Sequence, residues 1–491
     1  MSTKEVREFK NVINGEEHAS SNGETFLVTS PADNDVKIGV FQQSTDEDLN
    51  YAVESAKISL KTWKKMAAPA RAEYIYKAAE YVEKHAEDFK TQLITEVGKS
   101  YADADAEVIR TIRSMKYMAG EGERLAGETL PAWDPEVRAY TKREAIGVVG
   151  IITPWNVPLA ISAWKIASAL VTGCTVVYKP SSETPTVSYN LIDAYEYAGL
   201  PKGVFNFITG SGSVIGNGIA KHKDIKAISF TGSNGVGNII NNHVAARGAR
   251  FQAEMGGKNP FVVLEDADLD LATTHVINGG LGESGQRCTA TSRVILVKEI
   301  AEEFTEMLIK KVNNVKVGNP LNKETNMGPV INNAAVESIL NYVKIGQEQG
   351  AKLLTGGTAL NEGECANGSF VAPTVFTNVT PDMTIAQEEI FGPLISIMIA
   401  EDYDQALEWA NDVEYGLSSA IYTNDMVRAM DFIDNIEAGL THVNMMTMYS
   451  EPHFPFGGIK ATGLGGFREV GSTGIDFYCE WKTVYIKPHS K

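Results

Sequence analysis

From Ala145 onward the chain alternates short apolar, β-branched runs with helical stretches, and this rhythm restricts its fold more than any other feature. The runs fall at 148–153, 175–179, 204–209 and 228–231. A strand that is apolar throughout is buried on both faces, and strands separated by a helical crossover pair in parallel. The pattern predicts a doubly wound α/β unit with helices on both faces of its sheet. Further runs at 261–264, 293–297, 394–399 and 420–422 predict a second α/β unit. The 491 residues leave room for about three domain-sized units in all.

Ahead of these sheets the pattern is helical. Ser44 and Glu47 are spaced as a capping box, and Leu49, Val53, Ala56, Leu60 and Trp63 follow on one helical face. A second helix is predicted over 69–97, ending at Gly98, so the first third is expected to be mainly helical. The segment 133–143 is polar, and 481–487 alternates apolar and polar residues as a solvent-facing or partner-facing strand does.

Composition narrows the function classes. With 44 Lys+Arg against 62 Asp+Glu the formal charge is −18, which repels polyphosphate and anionic lipid, so no nucleic-acid or membrane partner is expected. An anionic ligand must then be held by local devices, such as backbone N–H groups at helix starts or a single Lys. The four Cys form no C-x-x-C pair, which argues against a disulfide framework or structural zinc and for a reducing, cytoplasmic setting. No His/Asp/Glu cluster has ligand spacing, and no metal is expected. Residues 1–12 mix charges without an apolar core and do not read as a signal peptide. The uncharged stretch 145–164 is formally long enough to cross a bilayer, but Gly147, Gly150, Pro154, Asn156 and Pro158 favour a strand, a turn and a helix start.

In doubly wound sheets, ligands bind beyond the carboxyl ends of the strands. Those positions hold Pro154-Trp155-Asn156-Val157-Pro158, Lys179-Pro180-Ser181-Ser182, the turn from Gly210 through Gly212 to Gly216, and Thr231-Gly232-Ser233. Glycine permits close backbone approach and a helix start offers unpaired N–H groups, a combination that suits a pyrophosphate. One such turn is weak evidence, whereas a succession of them points to a nucleotide site. Downstream, Glu254 stands beside Gly256 and Gly257, and Cys288 follows the Gly282 to Gly285 loop and Arg287. Cys174 and Cys479 are expected to be inert buried thiols and Cys365 a surface one; the charge of Arg287 is expected to favour the thiolate of Cys288. Taken alone, Glu254 could be an ordinary strand-end surface carboxylate, and Asn156 could cap the next helix.

These residues resemble the aldehyde dehydrogenase superfamily over nearly the whole chain. The resemblance is carried by Pro-Trp-Asn-x-Pro at 154–158, Lys-Pro-Ser at 179–181, Phe-Thr-Gly-Ser at 230–233, Glu-x-Gly-Gly-Lys at 254–258 and Gly-Gln-x-Cys at 285–288. Glu-Glu-Ile-Phe-Gly-Pro at 388–393 and Pro-Phe-Gly-Gly at 455–458 complete it. It implies a Rossmann-like cofactor domain (1–132 and 150–256), a second α/β catalytic domain (257–456) and a small β oligomerisation element (133–149 and 470–491), assembled as a homodimer or homotetramer. It also implies NAD(P)-dependent oxidation of a small-molecule aldehyde to the acid. In that chemistry Cys288 attacks the carbonyl, and the Asn156 amide with the Cys288 N–H stabilises the oxyanion. Hydride leaves the thiohemiacetal for a nicotinamide, and Glu254 then acts as general base for hydrolysis of the thioester.

The family pattern further assigns Ile152, Thr153, Pro154, Trp155, Lys179, Ser181, Ser182, Gly212, Gly216, Phe230, Thr231, Gly232, Ser233, Val236, Met255 and Gly256 to the cofactor, with Glu389 on the nicotinamide ribose and Phe391 lining that site. Strongly NAD-selective members often carry Glu where this chain has Ser182. A carboxylate there repels a 2′-phosphate while Ser and Lys donate to it, so NADP is expected to be preferred over NAD unless Glu183 swings in. Gln286 to Arg293 and Ala163-Trp164-Lys165 look most like the α-ketoglutarate semialdehyde (2,5-dioxopentanoate) dehydrogenases. Succinate semialdehyde is an alternative substrate, and Trp164, Tyr449 and Phe454 would also suit an aromatic aldehyde. Arg287 either binds a substrate carboxylate or pairs with an acid and only biases the thiol. A cysteine acyl hydrolase or transferase without cofactor is the reading from another class, although the His residues form no local signature for it.

Overall fold

The computed structural model describes residues 6–488. Residues 1–5 of the charged N-terminal segment and 489–491 of the expected oligomerisation element, with His489, lie outside the described residues. Val148–Ile152 is buried at every position and becomes an inner strand of an eight-stranded sheet. Thr175–Lys179 and Phe205–Phe207 extend the sheet in parallel on one side, Ile225–Thr231 and Arg250–Glu254 on the other. The winding direction therefore reverses between Val148–Ile152 and Ile225–Thr231, and such a switch point opens a crevice beyond the carboxyl ends. Antiparallel strands close the edges, Asn11–Ile13 with Glu16–His18 at one and Gly463–Leu464 at the other.

The second sheet has seven strands around Asn259–Val263, which is flanked in parallel by Thr291–Val297 and Ser418–Tyr422. Leu394–Ala400, Thr374–Thr377 and Leu440–Val443 continue the parallel set, and Lys352–Thr355 is its antiparallel edge. Met255 to Lys258 carry the chain from the end of one sheet to the start of the other, so carboxyl ends of the first face amino ends of the second. The first sheet has an apolar core on each face, one around Val149, Ile151, Leu170 and Phe207 and one around Val148, Val177, Ile219 and Ile228, and the second sheet has its own around Phe261, Val294, Ile397 and Ile421. A third sheet pairs Cys479–Ile486 with Arg138–Ala145 and that strand with Thr129–Leu130.

Several expectations are corrected. The helix Asp46–Trp63 is capped one residue later than predicted: Thr45 Oγ1 accepts from the Glu47 N–H, and Asp48 accepts from the Thr45 N–H at 2.8 Å. Ser44 instead accepts from Asn11 Nδ2 at 2.8 Å, which fastens the first sheet's edge strand. The predicted helix 69–97 divides into Ala68–Lys84, Ala86–Gln92 and one wide turn, Leu93–Val97, ending at Gly98 with φ 83°. Helices fill most of 46–120 in the first third as expected, but strands that the sequence reading did not predict stand ahead of them. Thr25–Ser30 and Asp33–Gln42 form a hairpin, and polar Asp33, Asn34, Asp35 and Lys37 mask its alternation. Cys365 is buried rather than at the surface, because the turn Gly363–Cys365 folds it inward. The uncharged stretch 145–164 divides at the turn between Val148–Ile152 and Pro158–Thr172, and no helix among the described residues is long and apolar enough to cross a membrane.

Candidate active site

The switch point places Thr153 to Val157 over the crevice, and the helix Pro158–Thr172 begins there with Pro at its first position. Its exposed N–H groups are satisfied from another helix: Leu159 N and Ala160 N donate to Glu107 Oε1 at 2.9 and 3.1 Å. Asn156 is therefore not the helix cap. It is buried, and its Nδ2 donates to the Gln286 carbonyl at 2.9 Å, which holds the amide against the loop that carries Cys288.

That loop is strained. Glu283 and Ser284 have φ of 50° and 56°, and Gly285 follows at 70°. Each of the two non-glycine residues costs about 1–3 kcal/mol in this region. A Cβ at Gly285 would lie 2.1 Å from the Gly392 carbonyl, so only glycine fits. Side chains hold the loop in place. Ser284 Oγ donates to the Gly328 carbonyl at 2.8 Å, the Ile331 N–H donates to Gln286 Oε1 at 2.9 Å, and Asn259 Nδ2 donates to the carbonyls of Cys288 and Ala290, both at 2.8 Å.

A buried ion network runs beneath it. Arg287 pairs with Glu283 and lies 3.8 Å from Asp103, Lys99 Nζ bonds Glu283 at 2.8 Å, and the same ammonium lies 2.6 Å from Glu107. Burial works against the Glu283 charge, but Arg287 and Lys99 outweigh it and hold this carboxyl down at about 2. Arg287 is thus shared with carboxylates and does not supply the thiolate predicted from its position. Burial pushes the Cys288 thiol up to about 12, Glu389 and Glu254 push the same way, and Arg110 and Arg287 only oppose them.

Glu254 ends the strand Arg250–Glu254 and is buried, not a surface carboxylate. Neither of its carboxylate oxygens has a hydrogen-bond partner among the described residues. Burial and then Glu469 push it well above the usual carboxylate range, with Lys165 and Arg468 opposing. Lys165 Nζ pairs with Glu469 and donates to Ser229 Oγ at 2.8 Å, and the other Glu469 oxygen accepts from Trp164 Nε1 at 2.7 Å.

Asn156, Glu254 and Cys288 line one cavity of about 410 Å³ together with Trp164, Arg287 and Phe456. Cys288 is half-buried on its wall. The structure does not bring Phe454 in. Its side chain is 60% exposed and packs on His453, whereas Phe456, paired through its backbone with Glu469, turns inward. Among the described residues, no His lines the cavity.

Most of the expected cofactor residues stand at or just beyond the carboxyl ends of the first sheet's strands. Lys179 is buried at its strand end, donates to the Pro180 carbonyl at 2.8 Å and meets no carboxylate there; burial alone lowers its ammonium to about 8. Ser182 Oγ donates to the Gly210 carbonyl at 3.2 Å, Ser181 Oγ accepts from the Glu183 N–H, and the Glu183 carboxylate is turned toward Asn332 Nδ2 at 3.3 Å. A Cβ at Gly212 or Gly216 would meet nothing within 4 Å, which leaves room over that turn for a phosphate group. The buried Thr231 hydroxyl has no partner among the described residues. Gly232 and Ser233 lead into the helix Asn234–Ala245, where Val236 is exposed. Ile152, Phe230 and Met255 are buried beneath the crevice, and the Thr153 hydroxyl turns toward Tyr178 at 3.0 Å. Pro154 leads into Trp155, whose ring meets Phe391 edge-on at 5.4 Å. Glu389 accepts from the Gly257 N–H at 2.9 Å and is raised to about 7 by burial; a Cβ at Gly256 would lie 2.5 Å from its carboxylate.

Sequence reasoning missed Lys99, Glu107, Arg110, Asn259, Phe456 and Glu469. Glu283 lies within the Gly282 to Gly285 loop, Phe456 within Pro-Phe-Gly-Gly at 455–458, and Lys165 beside Trp164. Nothing in local spacing marks the others, because each acts through a contact distant along the chain.

The profile of the aldehyde dehydrogenase family matches residues 18–484. The chain is 43% identical to the α-ketoglutaric semialdehyde dehydrogenase of Bacillus subtilis over 99% of both chains. It is 40% identical to the α-ketoglutarate semialdehyde dehydrogenase of Haloferax volcanii over 97% of this chain and 98% of that one. The NAD+ complex of aldehyde dehydrogenase from Bacillus cereus superposes with a TM-score of 0.94 at 37% identity, covering 98% of this chain and 97% of that one. Sequence motifs, sheet order and full-length similarity agree, and the chain belongs to the aldehyde dehydrogenase family.

Proposed function

We propose that this chain oxidises a carboxylate-bearing semialdehyde, with α-ketoglutarate semialdehyde the first choice, through Cys288, Glu254 and Asn156. One observation carries the reading: a cysteine and a buried, unpartnered carboxylate line the same cavity beside the switch-point crevice. Cys288 is the nucleophile toward the aldehyde carbon. The second N–H of the Asn156 amide, its first held by Gln286, donates to the oxyanion together with the Cys288 N–H. When bound, a nicotinamide coenzyme would supply the acceptor for the hydride whose departure from the oxyanion of the Cys288 thiohemiacetal leaves a thioester. Glu254 then takes a proton from the water that releases the acid. Among the described residues no side chain ties either of its carboxylate oxygens, which suits that task, and Glu469 and Lys165 act on it through space. The cofactor-free hydrolase alternative is not supported, since the family and the named relatives are dehydrogenases.

Trp155, Lys179, Ser182, the turn from Gly212 to Gly216, Thr231 and Ser233 would hold the adenosine and pyrophosphate side of the coenzyme, with Glu389 and Phe391 near the nicotinamide. NADP is the proposed preference over NAD. Two features support it: Ser182 puts a hydroxyl where a carboxylate would repel a 2′-phosphate, and Glu183 is engaged by Asn332. The expected division is cofactor domain 1–132 and 150–256, catalytic domain 257–456 and oligomerisation element 133–149 with 470–491, in a cytoplasmic homo-oligomer. An aldehyde panel crossed with NAD and NADP, followed by reduced-nicotinamide absorbance, tests the whole reading. Turnover of acidic semialdehydes is expected, lost in C288A, with kcat/KM higher for NADP and moved toward NAD by S182E. A strong NAD preference in the wild type overturns the inference from Ser182, and full activity of C288A overturns the mechanism.

A further inference from the structure

Because Arg287 is engaged by Glu283 and Asp103, the uncompensated positive charge of the cavity lies elsewhere. Arg110, on the helix Tyr101–Gly120, lines the same cavity as Cys288. Its guanidinium lies 5.1 Å from the Trp164 ring and 5.8 Å from the Phe456 ring. Neither an ion pair nor a hydrogen bond joins it to another described residue, although Glu283 and Glu107 act on it through space. An arginine packed on aromatic faces keeps the N–H groups of its edge for in-plane bonds, the geometry that takes a carboxylate in a fork. Arg110 is half-buried, and a guanidinium drawn partly out of water with no carboxylate in contact carries a desolvation cost that an entering anion relieves. Burial and the repulsion of Arg287 already work against the Arg110 cation. One turn along the same helix, exposed Arg113 stands at the cavity wall but is paired with Glu451 at 3.8 Å, which leaves Arg110 as the cation that carboxylates do not contact.

We infer that Arg110 binds the substrate carboxylate, so that the ligand is an ω-oxo carboxylate whose anionic end meets Arg110 while its aldehyde carbon meets Cys288. Trp164 and Phe456 fix the plane of the guanidinium. Arg287 is a positioning residue for the strained loop. This assignment rests on the proposed aldehyde oxidation at Cys288 and names the part of the substrate that the cavity recognises.

The test compares kcat/KM for α-ketoglutarate semialdehyde and for its uncharged analogue pentanal in wild type, R110Q, R110K and R287Q. R110Q is expected to lower the acid-to-pentanal ratio by roughly tenfold or more, mainly through KM, with partial recovery in R110K. R287Q is expected to lower kcat for both aldehydes and leave the ratio in place. An unchanged ratio in R110Q, or a change of ratio in R287Q instead, overturns the assignment. Calorimetric titration with glutarate separates the two readings, because it needs no turnover. Binding in wild type that weakens roughly tenfold or more in R110Q supports Arg110 as the anion site even if neither aldehyde is oxidised, an outcome that would overturn the proposed function alone. Glutarate binding of equal strength in wild type and R110Q, or none in wild type, overturns the Arg110 site.

Discussion

A thiol raised to about 12 is a poor nucleophile at neutral pH, since only the thiolate attacks. In the coenzyme-free enzyme, alkylation of Cys288 by iodoacetamide should therefore be slower than that of a free cysteine at pH 7. Its rate should climb about tenfold per pH unit between pH 7 and 10, as the thiolate fraction does below its pKa. A plateau reached before pH 9 would show that burial does not govern this thiol. Glu254 supplies the complementary prediction. Its carboxyl is held above the usual range by burial and by Glu469, so it is protonated at a pH where an ordinary Glu is already a base. The hydrolytic rate should fall as pH drops through that raised value. In E254Q an initial burst of reduced nicotinamide should remain while steady turnover drops by about 10²–10⁴. Loss of the burst along with turnover would remove Glu254 from the hydrolytic step. Cys288, Glu254 and Asn156 were legible because each stands in a compact motif. Glu469 was not, because it reaches Lys165 across 304 positions and no local pattern announces such a contact.

The loop Gly282–Gly285 and the helix Pro158–Thr172 depend on one buried ammonium. Lys99 bridges Glu283, which stabilises the strained turn ahead of Cys288, and Glu107, which caps the helix that follows Asn156. The nucleophile and the oxyanion amide thus share a support. Removing one partner of a buried ion network leaves uncompensated charge and costs about 3–5 kcal/mol. K99M should lower the urea midpoint accordingly and depress kcat, measured on the fraction that remains folded. A stability loss below about 1 kcal/mol would place the network in a solvent-screened setting. The inner strands were legible at this scale because burial on both faces makes them uniformly apolar. The hairpin of Thr25–Ser30 and Asp33–Gln42 was hidden, since its second strand is exposed over its first half and carries polar residues there. The wide turn Leu93–Val97 was hidden for another reason: its sequence is ordinary for a helix, and its buried Glu96 has a distant task, accepting the N–H groups of Thr186 and Val187 at 2.7 and 2.9 Å.

For the molecule as a whole, the third sheet sets the remaining question. Cys479–Ile486 is a terminal strand of that sheet, with one edge unpaired among the described residues, and it exposes Trp481, Tyr485 and Ile486, the first two at 54% and 72%. Leu130 and Tyr140 of the same sheet are also exposed. Native chains seldom leave an open edge and large apolar side chains side by side in water, because that pairing invites another chain. Two copies of a chain carrying −18 repel each other, so contact between them requires apolar burial that outweighs the repulsion. Salt screens the repulsion over about 8 Å at physiological ionic strength and leaves the apolar contribution largely intact. Sedimentation of the wild-type chain should accordingly show a dimer or tetramer whose association tightens from 20 to 300 mM salt, and W481D/Y485D should sediment as a monomer with unchanged far-UV circular dichroism. A wild-type monomer at micromolar concentration, or an oligomer indifferent to both substitutions, would assign this exposed sheet to some purpose other than self-association.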